Sequence, residues 1–195
     1  MNTQQRAQRA ADTPILMDAE KKRLLSMARD TLISYLKTRT VPDYSVTEPG
    51  LLQKAPAFVT LRHRGGELRG CIGRIEVVEA LYRTVQECAI SAATRDPRFT
   101  PVSREAELNQ LVIEISALSP FRRIGAVQEI EVGKHGLLIR KGSHSGLLLP
   151  QVASERGWER DEFLRAICTK AGLPPTAWQQ ADLSVFTAEV FGEDL

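Results

Sequence analysis

The pattern of residues 57–75 is compatible with few backbone conformations. Two β-prone runs, 57–64 and 67–75, are separated only by the pair Gly65-Gly66. Two glycines between strands favour a tight two-residue turn, because glycine adopts the positive φ angles that such turns need. The sequence therefore predicts an antiparallel hairpin here, against which the rest of the chain must pack.

Helical and extended patterns follow one another irregularly along the rest of the chain. Apolar residues at three- and four-residue spacings predict helices from Asp18 to a break at Val41-Pro42, over 78–95, from Pro150 to about 157, and from a cap at Asp161 to Gly172. Alternating patterns predict further strands over 110–118, near 127–132, 136–141 and 145–149, and over 184–191. Without regular strand–helix–strand alternation, these elements predict an α+β fold with mostly antiparallel sheet and flanking helices.

Charge and cysteine content exclude some classes of protein. Lys and Arg number 26 against 24 Asp and Glu, a formal net charge of +2, so the strong basic excess of a simple nucleic-acid binder is missing. Three distant cysteines do not make a disulfide framework and are typical of a reducing compartment. Residues 1–14 are polar, without the apolar run of a signal peptide, and no later run is long enough to cross a membrane. We expect a flexible N-terminal tail and a cytoplasmic location.

The segment 68–73, Leu-Arg-Gly-Cys-Ile-Gly, carries the most distinctive chemistry. In an extended chain Arg69, Cys71 and Gly73 share one face, opposite the apolar face of Leu68 and Ile72. A thiol beside a fixed positive charge ionises more readily, which suits a nucleophile, a redox-sensitive thiol or a soft metal ligand. The alternative is a small buried residue in a tightly packed sheet, since free cysteine is among the most buried residue types.

Cys88 and Cys168 fit the apolar faces of their predicted helices and are expected in the core. No short spacing of His and Cys residues predicts a zinc site, so no metal ligands are assigned.

Two loops and one basic stretch offer further candidates. His135, in a turn flanked by glycines, either reaches across a cleft or is a polar loop residue. The segment Asp96-Pro97-Arg98-Phe99 either directs Arg98 into a cleft or forms a capped turn with Phe99 in the core. An arginine stretch near the first hairpin either binds phosphate or an acidic partner or protects a solvated sheet edge. It consists of Arg62, His63, Arg64, Arg69 and Arg74.

Seven segments in order resemble an AMMECR-type domain, the A protein of the AmmeMemoRadiSam system. They are Leu68-Arg69-Gly70-Cys71-Ile72-Gly73, Ala92-Ala93 through Asp96-Pro97-Arg98-Phe99, Glu114-Ile115-Ser116, Lys134-His135-Gly136, Leu149-Pro150-Gln151-Val152-Ala153, Gly157-Trp158 and Lys170-Ala171-Gly172-Leu173. The resemblance covers about 18–193 and implies one domain over 15–195, built of interleaved larger and smaller subdomains around a cleft. It also implies the company of a Memo-like protein of the extradiol-dioxygenase type and a radical SAM protein. It brings no established reaction and no cofactor.

Three functions are compatible with the sequence. The first is an accessory or catalytic component of a modification pathway, in which Cys71 lines a functional cleft, Arg69 holds the thiolate, and Arg98 or His135 binds or protonates the substrate. The expected binding residues are Gly70, Gly73, Asp96, Arg98 and Lys170. The second is a non-enzymatic protein-binding scaffold. The third, nucleic-acid binding through the arginine stretch, is disfavoured by the balanced charge.

Overall fold

In the described part of the chain, helices and strands follow one another without a regular repeat, and two 3-10 helices lie between them. The computed structural model describes residues 16–194, so the tail predicted for 1–14 lies outside the described residues. In chain order the elements are α1 (Asp18–Thr38), α2 (Pro49–Leu52), β1 (Ala57–His63), β2 (Leu68–Arg74), α3 (Leu81–Thr94), α4 (Glu105–Leu108), β3 (Leu111–Leu118), β4 (Arg122–Arg123), the 3-10 helix Val127–Glu129, β5 (Gly136–Lys141), β6 (His144–Leu148), α5 (Pro150–Glu155), α6 (Arg160–Lys170), the 3-10 helix Ala177–Gln180, β7 (Asp182–Phe186) and β8 (Ala188–Gly192). Within 16–194, no helix combines the length and the apolar composition that a membrane crossing needs.

The described chain divides into a larger and a smaller compact unit. The smaller unit is 119–188, and the larger one contains the residues before it and those after it. Each unit has a four-stranded sheet, in the order β2-β1-β3-β8 in the larger and β4-β7-β5-β6 in the smaller. The strand pairs β1–β2, β1–β3, β4–β7, β5–β6 and β5–β7 are all antiparallel. The predicted α+β fold with mostly antiparallel sheet is thereby confirmed.

In the larger unit, one face of the sheet packs against α3, which in turn packs against α1. Ala57, Val59 and Leu61 alternate along β1 and are fully buried on that face. Burying such side chains stabilises the unit by about 1.5–3 kcal/mol for each large aliphatic residue. The opposite face of β1 presents Phe58 and Thr60, and it is this face that carries Cys71.

The smaller unit has its own core, between its sheet and α6. Phe163, Leu164 and Ile167 recur at one- and three-residue spacings on one face of α6 and are fully buried. They belong to the same apolar cluster as Leu137 and Ile139 of β5.

The hairpin β1–β2 forms as predicted, but its turn is longer. The backbone N–H of His63 donates to the carbonyl of Glu67 (2.9 Å), which leaves a three-residue loop instead of two. The N–H of Gly66 donates to the carbonyl of His63 (2.8 Å), and Gly66 has a φ of 90°. A three-residue hairpin loop needs a left-handed residue at its end, which explains the second glycine.

Two other local predictions were wrong, because at both places the chain forms a turn whose backbone hydrogen bonds replace those of the predicted element. The strand expected near 127–132 contains the 3-10 helix instead, since the Glu129 carboxylate accepts the N–H groups of Gly125 (2.9 Å) and Ala126 (3.1 Å). Helix α1 ends at Thr38, before the predicted proline break, because Arg39 adopts a left-handed conformation with a φ of 59°.

The expected cap and the expected last strand also differ from the structure. Asp161 lies inside the first turn of α6, whose N-cap is Glu159, and the N–H of Glu159 donates to the Glu162 carboxylate (2.9 Å). The single strand predicted over 184–191 is two strands, β7 and β8, in different sheets. They separate at Thr187, whose N–H donates to the hydroxyl of Ser119 (2.9 Å) instead of continuing a ladder.

Candidate functional site

The register of the β1–β2 hairpin places Cys71 beside Thr60. Thr60 pairs with Cys71 across the ladder, and its hydroxyl donates a hydrogen bond to the Cys71 sulfur (3.3 Å). Cys71 is half-buried, whereas Thr60 is 7% exposed. The Thr60 hydroxyl therefore helps to fix the position of the Cys71 sulfur on this face of the sheet.

The glycines on either side of Cys71 make room for two different neighbours. A Cβ on Gly70 would lie 2.2 Å from the carbonyl oxygen of Ala92, so Gly70 lets α3 approach β2. A Cβ on Gly73 would lie 2.1 Å from the ring of Phe58, its cross-strand partner. Gly70 therefore serves the packing of α3, and Gly73 accommodates the Phe58 ring.

Asp96 and Arg98 hold the backbone of Cys71 on the outer edge of the sheet. Oδ2 of Asp96 accepts the N–H of Cys71 (2.8 Å), and Nη2 of Arg98 donates to the Cys71 carbonyl (3.3 Å). Among the strands of the described residues, β2 lies at the edge of its sheet, so the N–H and the carbonyl of Cys71 have no neighbouring strand to bond on that side. The Asp96–Arg98 pair thus supplies one acceptor and one donor in place of a neighbouring strand.

Asp96 and Arg98 are also hydrogen-bonded to each other. Nε and Nη2 of Arg98 donate to Asp96 at 2.9 and 2.7 Å, and the Arg98 N–H donates to Oδ1 at 3.1 Å. The Arg98 side chain, followed by the N–H groups of Cys71 and Arg98, holds the pKa of the Asp96 carboxyl well below its usual range, against the effect of burial. Asp96 is ionised at neutral pH and is a positioning residue, since a proton would break the bonds that hold Cys71.

Arg69 anchors a different segment. Its Nε donates to Glu107 (2.8 Å) and its Nη2 donates to the carbonyl of Thr100 (2.8 Å), and its side chain is only 10% exposed. The guanidinium also lies 5.9 Å from the centre of the Phe99 ring. These contacts fix the loop after α3, and the proposed role of Arg69 at the thiolate stays a prediction.

The three cysteines differ in accessibility. Cys88 and Cys168 are buried, and burial raises the pKa of Cys88 to about 12 and also raises the pKa of Cys168. Of the three, only Cys71 is partly exposed. It is therefore the thiol best placed to meet a reagent or a partner.

A model of the AMMECR1 family matches residues 25–191, which include elements of both units. The chain belongs to the AMMECR1 family. It is 42% identical over 180 residues to a protein of Methanopyrus kandleri (88% of this chain, 87% of that one) and 45% identical over 183 residues to one of Thermococcus onnurineus (88% and 89%). A crystal structure of an uncharacterised protein from Pyrococcus horikoshii superposes with a TM-score of 0.86 at 39% identity, over 93% of this chain and 95% of that chain.

Within this AMMECR1 fold, the predicted site residues are divided between the two units. Gly70, Cys71, Gly73, Asp96 and Arg98 gather at the edge of the larger sheet. His135 and Lys170 belong to the smaller unit. Nδ1 of buried His135 accepts the N–H of Glu131 (3.1 Å), which closes a turn, and Lys170 is exposed at the end of α6.

Two residues of the site were missed at the sequence level. Thr60 shares the face of Cys71, and the alternation of the two predicted strands could have indicated it. Glu107 has no comparable signal, because its bond to Arg69 joins residues 38 positions apart. Within 16–194, no group of His, Cys, Asp and Glu is arranged to hold a metal ion.

Proposed function

We propose that this AMMECR1-family protein acts through the Cys71 thiol as a component of a modification pathway. The observation that carries the proposal is the fixed position of a half-buried thiol. Its backbone is held by Asp96 and Arg98, and its sulfur accepts a hydrogen bond from Thr60. A thiol that served packing alone would need neither the exposure nor the bond at its sulfur.

The chemistry that fits this arrangement is the transfer of a group from an activated, anionic donor. The thiol loses its proton to solvent, and the sulfur attacks the donor carbon. A sulfur–carbon bond forms while the bond to the leaving group breaks, and that group departs with the electron pair. An acceptor nucleophile then displaces the sulfur, takes the carbon and loses its own proton, which restores the thiol.

The exposed guanidinium of Arg98 is the reason for proposing an anionic donor. Its side chain is 55% exposed although its Nε and Nη2 are engaged by Asp96. The remaining guanidinium edge offers donors to a carboxylate or phosphate on the donor or its leaving group.

The proposed partners are a Memo-like protein and a radical SAM protein, as the family resemblance implies, and the proposed location is the cytoplasm. Three unpaired cysteines suit a reducing compartment.

The test combines the purified protein and its Memo-like and radical SAM partners with the small-molecule fraction of a cell extract, as the source of the donor, under reducing, anaerobic conditions. Intact-protein and peptide mass spectrometry should then find a mass increase on Cys71. Cys71→Ser and Cys71→Ala should lose the adduct and the output of the pathway, while Arg123→Ala, at an exposed surface ion pair, should retain both. An unmodified Cys71 together with undiminished output in Cys71→Ala would overturn the proposal.

A non-enzymatic scaffold is the second candidate, and one observation favours it. The charged groups of Asp96, Arg98 and Arg69 are largely occupied by contacts that stabilise the fold. On this proposal Cys71→Ser costs about 1–3 kcal/mol of stability and leaves partner binding intact. The double change Arg62→Glu with Arg64→Glu then weakens binding of a partner, as calorimetry would measure, and nucleic-acid binding would instead show a steep salt dependence.

A further inference from the structure

The smaller unit contains a pocket that the proposed function does not use. Its volume is about 390 Å³, within the range of small-molecule sites. It lies between the segment 124–128 and the segment 178–183. Every residue that lines it belongs to the smaller unit, whereas Cys71 belongs to the larger one.

Aliphatic core residues and one tryptophan line part of this pocket, here called the Trp178 pocket. Ile124 and Leu183 are 9% and 6% exposed and belong to the core of the smaller unit, while Trp178 packs against that core and stays half-buried. An indole beside aliphatic side chains offers a flat surface on which a planar ring can stack.

The described lining of the Trp178 pocket carries no charged side chain. The nearest charges along the chain are paired with each other, Arg122 with Glu129 (2.6 Å) and Arg123 with Asp182. A ligand group with a formal charge would lose hydration there without gaining a counter-charge. The lining therefore selects a neutral group.

Polar groups of the pocket are available for hydrogen bonding. Within 16–194, no hydrogen bond engages the carboxamides of Gln128 and Gln179 or the indole N–H of Trp178. A carboxamide presents one donor and one acceptor side by side, the arrangement that glutamine uses to bind the amino and ring nitrogens of adenine. A saturated acyl chain would leave these groups unpaired.

We propose that the Trp178 pocket binds a neutral purine base of the adenine type. The ring stacks on Trp178, and the carboxamides of Gln128 and Gln179 bind its edge. Base–aromatic stacking and bidentate amide contacts each contribute enough to be measured by substitution.

The test uses adenosine as the probe. The chain has two tryptophans, so Trp158→Phe leaves Trp178 as the sole tryptophan, and adenosine should quench its selectively excited fluorescence saturably while ribose does not. Calorimetry gives the affinities of the variants. Trp178→Leu and the double change Gln128→Ala with Gln179→Ala should each weaken binding about tenfold or more. Gln151→Ala, outside the pocket, should leave binding unchanged.

The glutamine double variant separates a loss of binding from a loss of folding. Both side chains are exposed, so their removal leaves the core intact. Absence of saturable quenching by adenosine, equal quenching by ribose, or undiminished affinity in the glutamine double variant would each overturn the proposal. Adenosine monophosphate should bind no more tightly than adenosine. Tighter, strongly salt-dependent binding of the phosphate or of single-stranded RNA would assign the signal to surface charge instead of the pocket.

Discussion

Replacing Asp96 by Asn tests the arrangement that holds Cys71. The Asp96 side chain is 2% exposed and accepts bonds from the backbone of Cys71 and from both the backbone and the side chain of Arg98. Asparagine keeps the shape but has a single acceptor oxygen, and its NH₂ group opposes donors. Charge-assisted bonds contribute about 1.5–3 kcal/mol each, and an unsatisfied buried N–H costs about 1–3 kcal/mol. We expect Asp96→Asn to lower the free energy of unfolding by about 2–4 kcal/mol at pH 7.

The pH dependence of this effect has a definite sign. Because the folded-state pKa of Asp96 is depressed by Arg98 and two N–H groups, its contribution is fully present above the ordinary carboxyl pKa of 3.8. It is lost as the pH falls below that value toward the folded-state pKa. The difference between the wild type and Asp96→Asn should therefore be constant near neutral pH and shrink at more acid pH.

Urea unfolding followed by far-ultraviolet circular dichroism measures this free energy. Hydrogen exchange of a peptide spanning 68–74 adds a local readout, since both tryptophans lie in the smaller unit and do not report on Asp96. Asp182→Asn, which alters the exposed Arg123–Asp182 pair, is the matched control and should change stability by no more than about 0.5 kcal/mol. If Asp96→Asn is as mild as this control, or its effect does not depend on pH, then ionised Asp96 does not stabilise the fold through the bonds described above.

Two further changes probe the packing around Cys71, both measured by urea unfolding. Gly70→Ala should cost about 1–3 kcal/mol, because its Cβ would meet the Ala92 carbonyl oxygen at 2.2 Å, whereas Gly65→Ala, with nothing within 4 Å, should be close to neutral. Arg69→Met should cost about 2–4 kcal/mol because it leaves Glu107 and the Thr100 carbonyl without their donor, and the same change at exposed Arg123 should cost less than about 1 kcal/mol. Equal costs for Gly70→Ala and Gly65→Ala, or for Arg69→Met and Arg123→Met, would contradict these contacts.

The sequence predicted what depends on local periodicity. The alternation along 68–73 indicated Cys71 opposite the face that meets α3, and the apolar spacings of Cys88 and Cys168 indicated burial. These inferences need only the two-residue period of a strand and the helical period of 3.6. The three-residue hairpin loop was missed because two glycines fit either length, and only the bond between His63 and Glu67 decides.

Contacts between distant segments could not be predicted in the same way. The sequence predicted Asp96 and Arg98 as binding residues. It did not indicate that they bind the backbone of Cys71, which lies 25 positions away from Asp96. The predicted last strand divides at Thr187, because the Ser119 hydroxyl, 68 positions away, accepts a hydrogen bond from the Thr187 N–H. Such partners depend on tertiary packing, which overrides a continuous strand pattern.

The proposed thiol chemistry depends most directly on the accessibility of Cys71. We would measure the alkylation rate of each cysteine in the folded protein by peptide mass spectrometry. Cys71 should react readily, while Cys88 and Cys168 should react only on unfolding, since both are buried. If all three remain equally slow until the protein unfolds, or if a buried cysteine reacts first, Cys71 is a packing residue and the proposed thiol chemistry is wrong.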